Sequence, residues 1–217
     1  MRKTPTPEEL NQAGEFELLA SVAHSRIKDF VLNQVMEDRR IIPYYMVYQT
    51  LLFLSALFFF TRSIVLSIRG DSSFLWVSLA AIAFSFTLLV LLHELLHGMV
   101  LKAAGAPKVR FGRVPGKFIF YAEADRFVLG KKPFLWVALT PLVAIQLAAL
   151  ILIVRWTGEP LVYFPLLVMC IHSFFCAGDI ALISLFYRFP GRNVFTFDSR
   201  EEKTSYYFVE KESVSSI

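Results

Sequence analysis

Apolar residues along this chain fall into long unbroken blocks rather than short-period alternation. Uncharged stretches cover 41–61, 72–92, 133–154 and 160–178, each close to the roughly 20 residues that a helix needs to cross a bilayer. Allowing for their ends, they predict membrane helices at about 43–67, 74–103, 133–155 and 160–188. Four crossings leave both termini on one side. Ahead of the first, Thr6-Pro7-Glu8-Glu9 reads as a helix start, with Thr6 as N-cap, Pro7 in the first helical position and Glu9 completing a capping box. Leu10, Phe16, Leu19, Ile27, Phe30 and Val31 among charged neighbours predict an amphipathic helical segment, broken at Gly14, that lies on the membrane or packs on the domain.

The polar stretch between the second and third spans has its own pattern. Lys108–Val114 and Lys117–Ala124 are rich in Val, Phe, Ile and Tyr and are separated by Pro115-Gly116, which predicts a β-hairpin. Gly105, followed by Ala106-Pro107, is where the preceding helix should stop. Its free edge could take up an extended peptide by strand addition, or the hairpin could simply pack at the membrane surface. The expected fold is therefore an all-α membrane protein: a four-transmembrane-helix bundle with a cytoplasmic β-hairpin between helices 2 and 3 and an N-terminal amphipathic helix. Residues 1–40 form the cytoplasmic amphipathic segment, 41–188 the four-span domain with its hairpin at about 107–125, and 189–217 a polar cytoplasmic tail.

Composition agrees with a lipid solvent: 56% of the 217 residues are hydrophobic and 22 are Phe. The net charge of +4 does not point to nucleic acid, because the basic residues gather between apolar runs with no recognition motif. They report topology instead. Lys102, Lys108, Arg110, Arg113, Lys117, Arg126, Lys131 and Lys132 crowd the loop between the second and third spans, whereas the other loops carry little beyond Arg69 and Arg155. By the positive-inside rule that loop and both termini face the cytoplasm. Arg62 falls near the outer end of the first span, where it can snorkel. Residues 1–40 contain no apolar core of a signal peptide, so the first span is expected to act as its own insertion signal. Cys170 and Cys176, six apart in one apolar segment, suit neither a disulfide framework nor a paired-cysteine metal knuckle.

The chemistry lies in His93-Glu94-Leu95-Leu96-His97, an H-E-x-x-H motif set inside the second span. On a helix its two imidazoles stack on one face as metal ligands, and Glu94 projects about 100° away, suited to hold a water beside the metal. A Glu between two His could also be a metal-free hydrogen-bonded cluster, but ionisable groups at membrane depth are functional candidates by default. Catalytic zinc takes three protein ligands, which leaves one to find. Asp179 in the fourth span lies at the depth of the histidine pair, and no basic residue in any predicted span matches that depth. Glu123 and Asp125 in the hairpin remain competitors, because a loop can fold back. His172 lies two turns farther out than Asp179, roughly 10 Å along the axis, which suits a second layer around the metal, a substrate-facing position or a bond across the bundle. Cys176 is read as packing, and Gly178 as room for close approach beside the metal. Thr140-Pro141 reaches the same depth in the third span, where the proline frees a carbonyl and could open a cleft. Gln146 is read as an interhelical hydrogen-bonding residue, and His24 as a surface histidine.

Taken together, His93-Glu94-x-x-His97, Gly105, the hairpin, Thr140-Pro141 and Gly178-Asp179 resemble a bacterial family of small membrane zincin peptidases, and more distantly the site-2 protease group of intramembrane metalloproteases. The resemblance covers about residues 40–190. It implies His93, His97 and Asp179 as zinc ligands and Glu94 as general base for hydrolysis at or within the membrane. The chain departs from the site-2 proteases in lacking their fuller N-P-x-P and L-D-G signatures, with Thr140-Pro141 and Gly178-Asp179-Ile180 in the approximate places. The expected function is thus a membrane-embedded zinc metallopeptidase with Zn2+ as cofactor and a peptide or membrane-protein substrate. The alternative is a non-enzymatic metal-binding membrane protein, a transporter or sensor.

Overall fold

The computed structural model describes residues 4–12, 14–114, 116 and 120–211. The chain opens with α1 (Pro7–Asn11), started by the Thr6/Glu9 capping box: Thr6 accepts from the Glu9 N–H and Glu9 accepts from the Thr6 N–H. It then turns into a strand, β1 (Phe16–Ala23), before α2 (Ile27–Glu37). Helix α3 (Ile42–Ile68) is a straight span. Next come α4 (Ser73–Ser85) and α5 (Leu88–Ala103), the hairpin strands β2 (Arg110–Arg113) and β3 (Phe120–Glu123), and the short β4 (Leu129–Gly130). After the second straight span, α6 (Lys131–Arg155), come α7 (Tyr163–Phe175), α8 (Ala177–Arg188), β5 (Val194–Ser199) and β6 (Thr204–Glu210).

Two helices, α3 and α6, are long and apolar enough to cross a membrane, and up to four spans result if each bent pair, α4 with α5 and α7 with α8, counts as one. The bends are 43° and 47°. At the first, the Ser85 and Thr87 hydroxyls bond back to the carbonyls of Ala81 and Ala83, a side-chain competition that bends helices. Leu51, Phe53, Leu57 and Phe58 on α3 are exposed, the expected state of a face whose solvent is lipid. The spans are tied by polar bonds: Gln146 donates to the Met169 carbonyl at 2.9 Å, and Arg62, instead of snorkelling free, donates to the Tyr163 hydroxyl.

The all-α expectation is wrong. A four-stranded antiparallel sheet of order β1-β6-β5-β4 joins the N-terminal segment to the C-terminal one, and β2–β3 forms a second, two-stranded sheet. The N-terminal segment is therefore not amphipathic helix throughout, and 194–210 is a hairpin rather than a polar tail. The physical signal is β-branched and aromatic enrichment in Val194-Phe195-Thr196-Phe197 and Tyr206-Tyr207-Phe208-Val209, which long-range pairing with Phe16–Ala23 converts into strands. Leu18 and Leu19 suit helical spacing as well as a strand, and a register shift between Leu18 and Ala20 marks the misfit. The hairpin expected after α5 forms as β2–β3 with Arg110 opposite Glu123; Pro115 and residues 117–119 of its turn, and 212–217 of the tail, lie outside the described residues.

The sheet is welded to the helices by one core in which Val22, Leu101, Phe134, Phe186 and Tyr207 meet. Phe134 stacks on Phe186 at 4.5 Å, and Tyr207 meets both edge-on. Helix α2 lies on α8, where Ser184 donates to the Gln34 amide oxygen. Helix α5 ends as expected at Gly105, whose φ of +98° lets the Gly105 and Ala106 amides turn back to the carbonyls of Lys102 and Leu101. Just past it, the hairpin closes onto α5 at Gly98, where a Cβ would stand 2.6 Å from the Phe111 ring.

Candidate metal centre

Helix α5 begins after the Phe86-Thr87 break and carries His93 and His97 on one buried face. Their Nε2 atoms stand 2.9 Å apart. Asp179, in the first turn of α8, aims its carboxylate at the same point, 3.4 Å from His93 Nε2 and 3.4 Å from His97 Nε2. Two ligands each about 2.0–2.1 Å from one tetrahedral ion are about 3.3 Å apart; both imidazole–carboxylate separations have that value, and the imidazole pair is slightly closer.

The hydrogen bonds behind the ligand atoms decide which way they face. His97 Nδ1 lies 2.8 Å from the Val137 carbonyl, which only accepts, so Nδ1 carries the proton and Nε2 presents a lone pair. That carbonyl is free because residue 141, which would normally bond it from one turn on, is a proline inside α6. Pro141 thus orients His97 through Val137. Neither Thr140 nor Pro141 lines the cavity described below, so the expected cleft is not where they act.

His93 Nδ1 meets His172 Nε2 at 3.1 Å, and the fully buried Cys176 thiol stands 3.7 Å from the same His172 nitrogen and 4.0 Å from His93 Nδ1. His172 and Asp179 lie on opposite sides of the 47° break at Cys176 and reach the same imidazole, His172 at Nδ1 and Asp179 at Nε2 of His93. Gly178, beside the break, has no neighbour within 4 Å of where a Cβ would be.

A chain of imidazole bonds from His172 through His93 and His97 to Val137 can form without a cation. It leaves the Asp179 Oδ2 and Glu94 Oε2 atoms buried with no hydrogen-bond partner. Uncompensated buried carboxylate oxygens are costly by several kcal/mol, and a cation between the three ligand atoms removes that cost. A His-His-Asp donor set fits Zn2+. Glu94 sits beside this point on α5, its carboxylate served by the Ala122 N–H of β3. Among the described residues, the ligand groups close enough to share an ion are His93/His97/Asp179 and His93/His172/Cys176. Glu123 and Asp125 belong to neither.

A family model described as "Putative zincin peptidase" matches residues 86–194, half of the chain, and the match contains every residue of this centre. The chain belongs to this family. Its class is that of zinc metallopeptidases, and zinc is the cofactor the class implies. No curated protein and no solved structure matches the chain.

The matched segment starts at the α4–α5 break and ends where β5 begins, so β1 and β6 lie outside the match. The sheet helps to line a cavity of about 490 Å³ that runs from His93, Glu94, His97 and Asp179 to a polar cluster on the sheet side. There His24, read from sequence as a surface histidine, is buried instead. Its ring lies 4.6 Å from that of Tyr121, and its Nε2 faces the Ser205 hydroxyl at 3.5 Å. Ser205 donates to Asp198 Oδ1 at 2.6 Å. Burial, then Asp125, push Asp198 up to about 6. Burial also raises Glu123, helped by Asp198, and lowers His24 against the pull of Glu123. Asp125, exposed, accepts from the Arg200 N–H at 3.0 Å. No short motif announces this cluster, because its members come from the turn after β1, from β3 and from the C-terminal hairpin, and meet only through the sheet.

Proposed function

We propose that the protein is a membrane-embedded zinc metallopeptidase in which His93, His97 and Asp179 hold the metal and Glu94 is the general base. The observation that carries this reading is the convergence of the three ligand atoms, all within 4.8 Å of one another, beside a Glu94 oxygen that has no hydrogen-bond partner. Zinc bound there supplies Lewis-acid polarisation of a carbonyl and an acidified water. Glu94 Oε2 takes the proton of the attacking water and passes it to the leaving amine. His172 accepts from His93 Nδ1, and the Val137 carbonyl accepts from His97 Nδ1, so both rings are held with Nε2 bare. The hairpin strand β3 and the sheet face wall the cavity against lipid.

Counting each bent pair as one span gives four crossings and both termini on one side. The pairing of β1 with β6 supports that count, since it holds the two ends of the chain in one sheet. The basic residues between α5 and α6 favour the cytoplasm for that side, which supports a reading of the enzyme as a cell-membrane protein whose site opens inward. Its partners are then the bilayer and a peptide or membrane-protein substrate.

The test is to purify the protein in detergent, measure zinc per chain, and compare hydrolysis of membrane-derived peptides by wild type and Glu94→Gln. One zinc per chain in both, with hydrolysis at least about 100-fold slower in Glu94→Gln, is expected. Bound zinc without Glu94-dependent hydrolysis would turn the reading to a metal-binding transporter or sensor. A folded preparation that retains no metal would end both.

A further inference from the structure

The far end of the cavity gathers two carboxylates, Glu123 and Asp198, and the imidazole of His24. Glu123 is 6% exposed, no hydrogen bond reaches its carboxylate among the described residues, and its one ion pair, to Arg200 Nε, spans 3.6 Å. Asp198 has one oxygen on Ser205. His24 is 8% exposed, and its Nδ1 is buried with no hydrogen-bond partner. All three line the cavity that reaches Glu94 and Asp179. Lys28, which also lines the cavity, and the nearby Arg200 and Lys203 are exposed to solvent, where their field is screened, whereas Glu123 is buried and Asp198 half-buried. The sheet end of the cavity thus holds two carboxylates away from bulk water. A lysine ammonium brings three N–H donors and an arginine guanidinium five. The loose contact of Arg200 with Glu123 shows the chemistry that this carboxylate accepts.

We infer that the sheet side of the cavity is a subsite for a basic side chain, lysine or arginine, of an extended juxtamembrane peptide, held by Glu123 and Asp198 beside His24. This rests on the peptidase reading above. Segments that flank membrane spans on the cytoplasmic side are rich in Lys and Arg, so an enzyme opening to that side meets such residues next to every span. The subsite lies outside the long apolar helices, on β3, β5 and the turn that follows β1. It therefore selects a water-exposed stub rather than the interior of a transmembrane helix.

Two labelled peptides identical but for one central residue, arginine or its uncharged analogue citrulline, test this by fluorescence anisotropy on zinc-loaded Glu94→Gln protein in detergent. The arginine peptide should bind about tenfold more tightly, the difference should shrink as salt rises, and adding Glu123→Gln should abolish it with zinc content unchanged. Equal affinity for the two peptides, or a preference that survives Glu123→Gln, would overturn the subsite. Should Glu123→Gln fail to fold, Asp198→Asn takes its place under the same two outcomes. An arginine preference without any zinc-dependent hydrolysis by wild type would leave the subsite standing and remove the peptidase reading. Glu94-dependent hydrolysis without a preference would do the reverse.

Discussion

Helices α3 and α6 are each unbroken, whereas α4–α5 and α7–α8 bend by 43° and 47° at short breaks. His93, His97, His172, Cys176 and Asp179, the residues of both candidate ligand groups, sit on the bent pairs. His172 and Asp179, seven residues and roughly 10 Å apart along a helix axis, stand on either side of the break at Cys176 and flank one imidazole, that of His93. The straight helices serve differently. Helix α3 presents an exposed apolar face and holds none of the candidate ligands, and α6 contributes a backbone carbonyl, at Val137, released by Pro141. The site draws on both: side chains from the broken helices, and support from an unbroken one.

The sharpest way to break that comparison is to remove the ligand that the bent α7–α8 pair supplies. Asp179→Ala should lose its zinc altogether on dialysis, measured by metal analysis, while Glu123→Ala keeps it; the opposite pair of results would move the third ligand off the bent pair and onto the hairpin. A smaller effect is expected from the groups behind the ligands. His172→Ala should weaken zinc about 10- to 100-fold in a chelator competition, and Pro141→Ala should weaken it in the same direction by restoring an N–H that competes for the Val137 carbonyl. If Pro141→Ala leaves zinc affinity unchanged, the straight helix has no part in orienting His97. The least effect concerns the hairpin clamp. Gly98→Ala should cost about 1–3 kcal/mol through overpacking against Phe111, read as a lower melting temperature with zinc still bound.

The parts of this protein written in local pattern are the parts legible from sequence. Thr6 to Glu9 caps α1, Gly105 stops α5, and the four apolar blocks lie where helices lie, because these features depend on neighbours three or four residues away. The sheet was not legible. Phe16–Ala23 becomes a strand only because Thr204–Glu210, at the other end of the chain, supplies its hydrogen bonds. His24 shows the consequence: beside charged neighbours it reads as a surface residue, and the same pairing buries it against Tyr121.

By itself, then, the sequence determined a strongly apolar chain with helices long enough to cross a membrane, an H-E-x-x-H motif with its ligand spacing, and a short set of third-ligand candidates from which helix rise selected Asp179. Tertiary structure alone decided that His172 stands directly behind His93, that Pro141 acts through the Val137 carbonyl, and that Glu123, Asp198 and His24 share one cavity with the metal centre. The reason is one of range. Periodicity and spacing record what a residue does within its own helix, whereas a helix break or a pairing between chain ends is set by contacts among residues far apart in sequence.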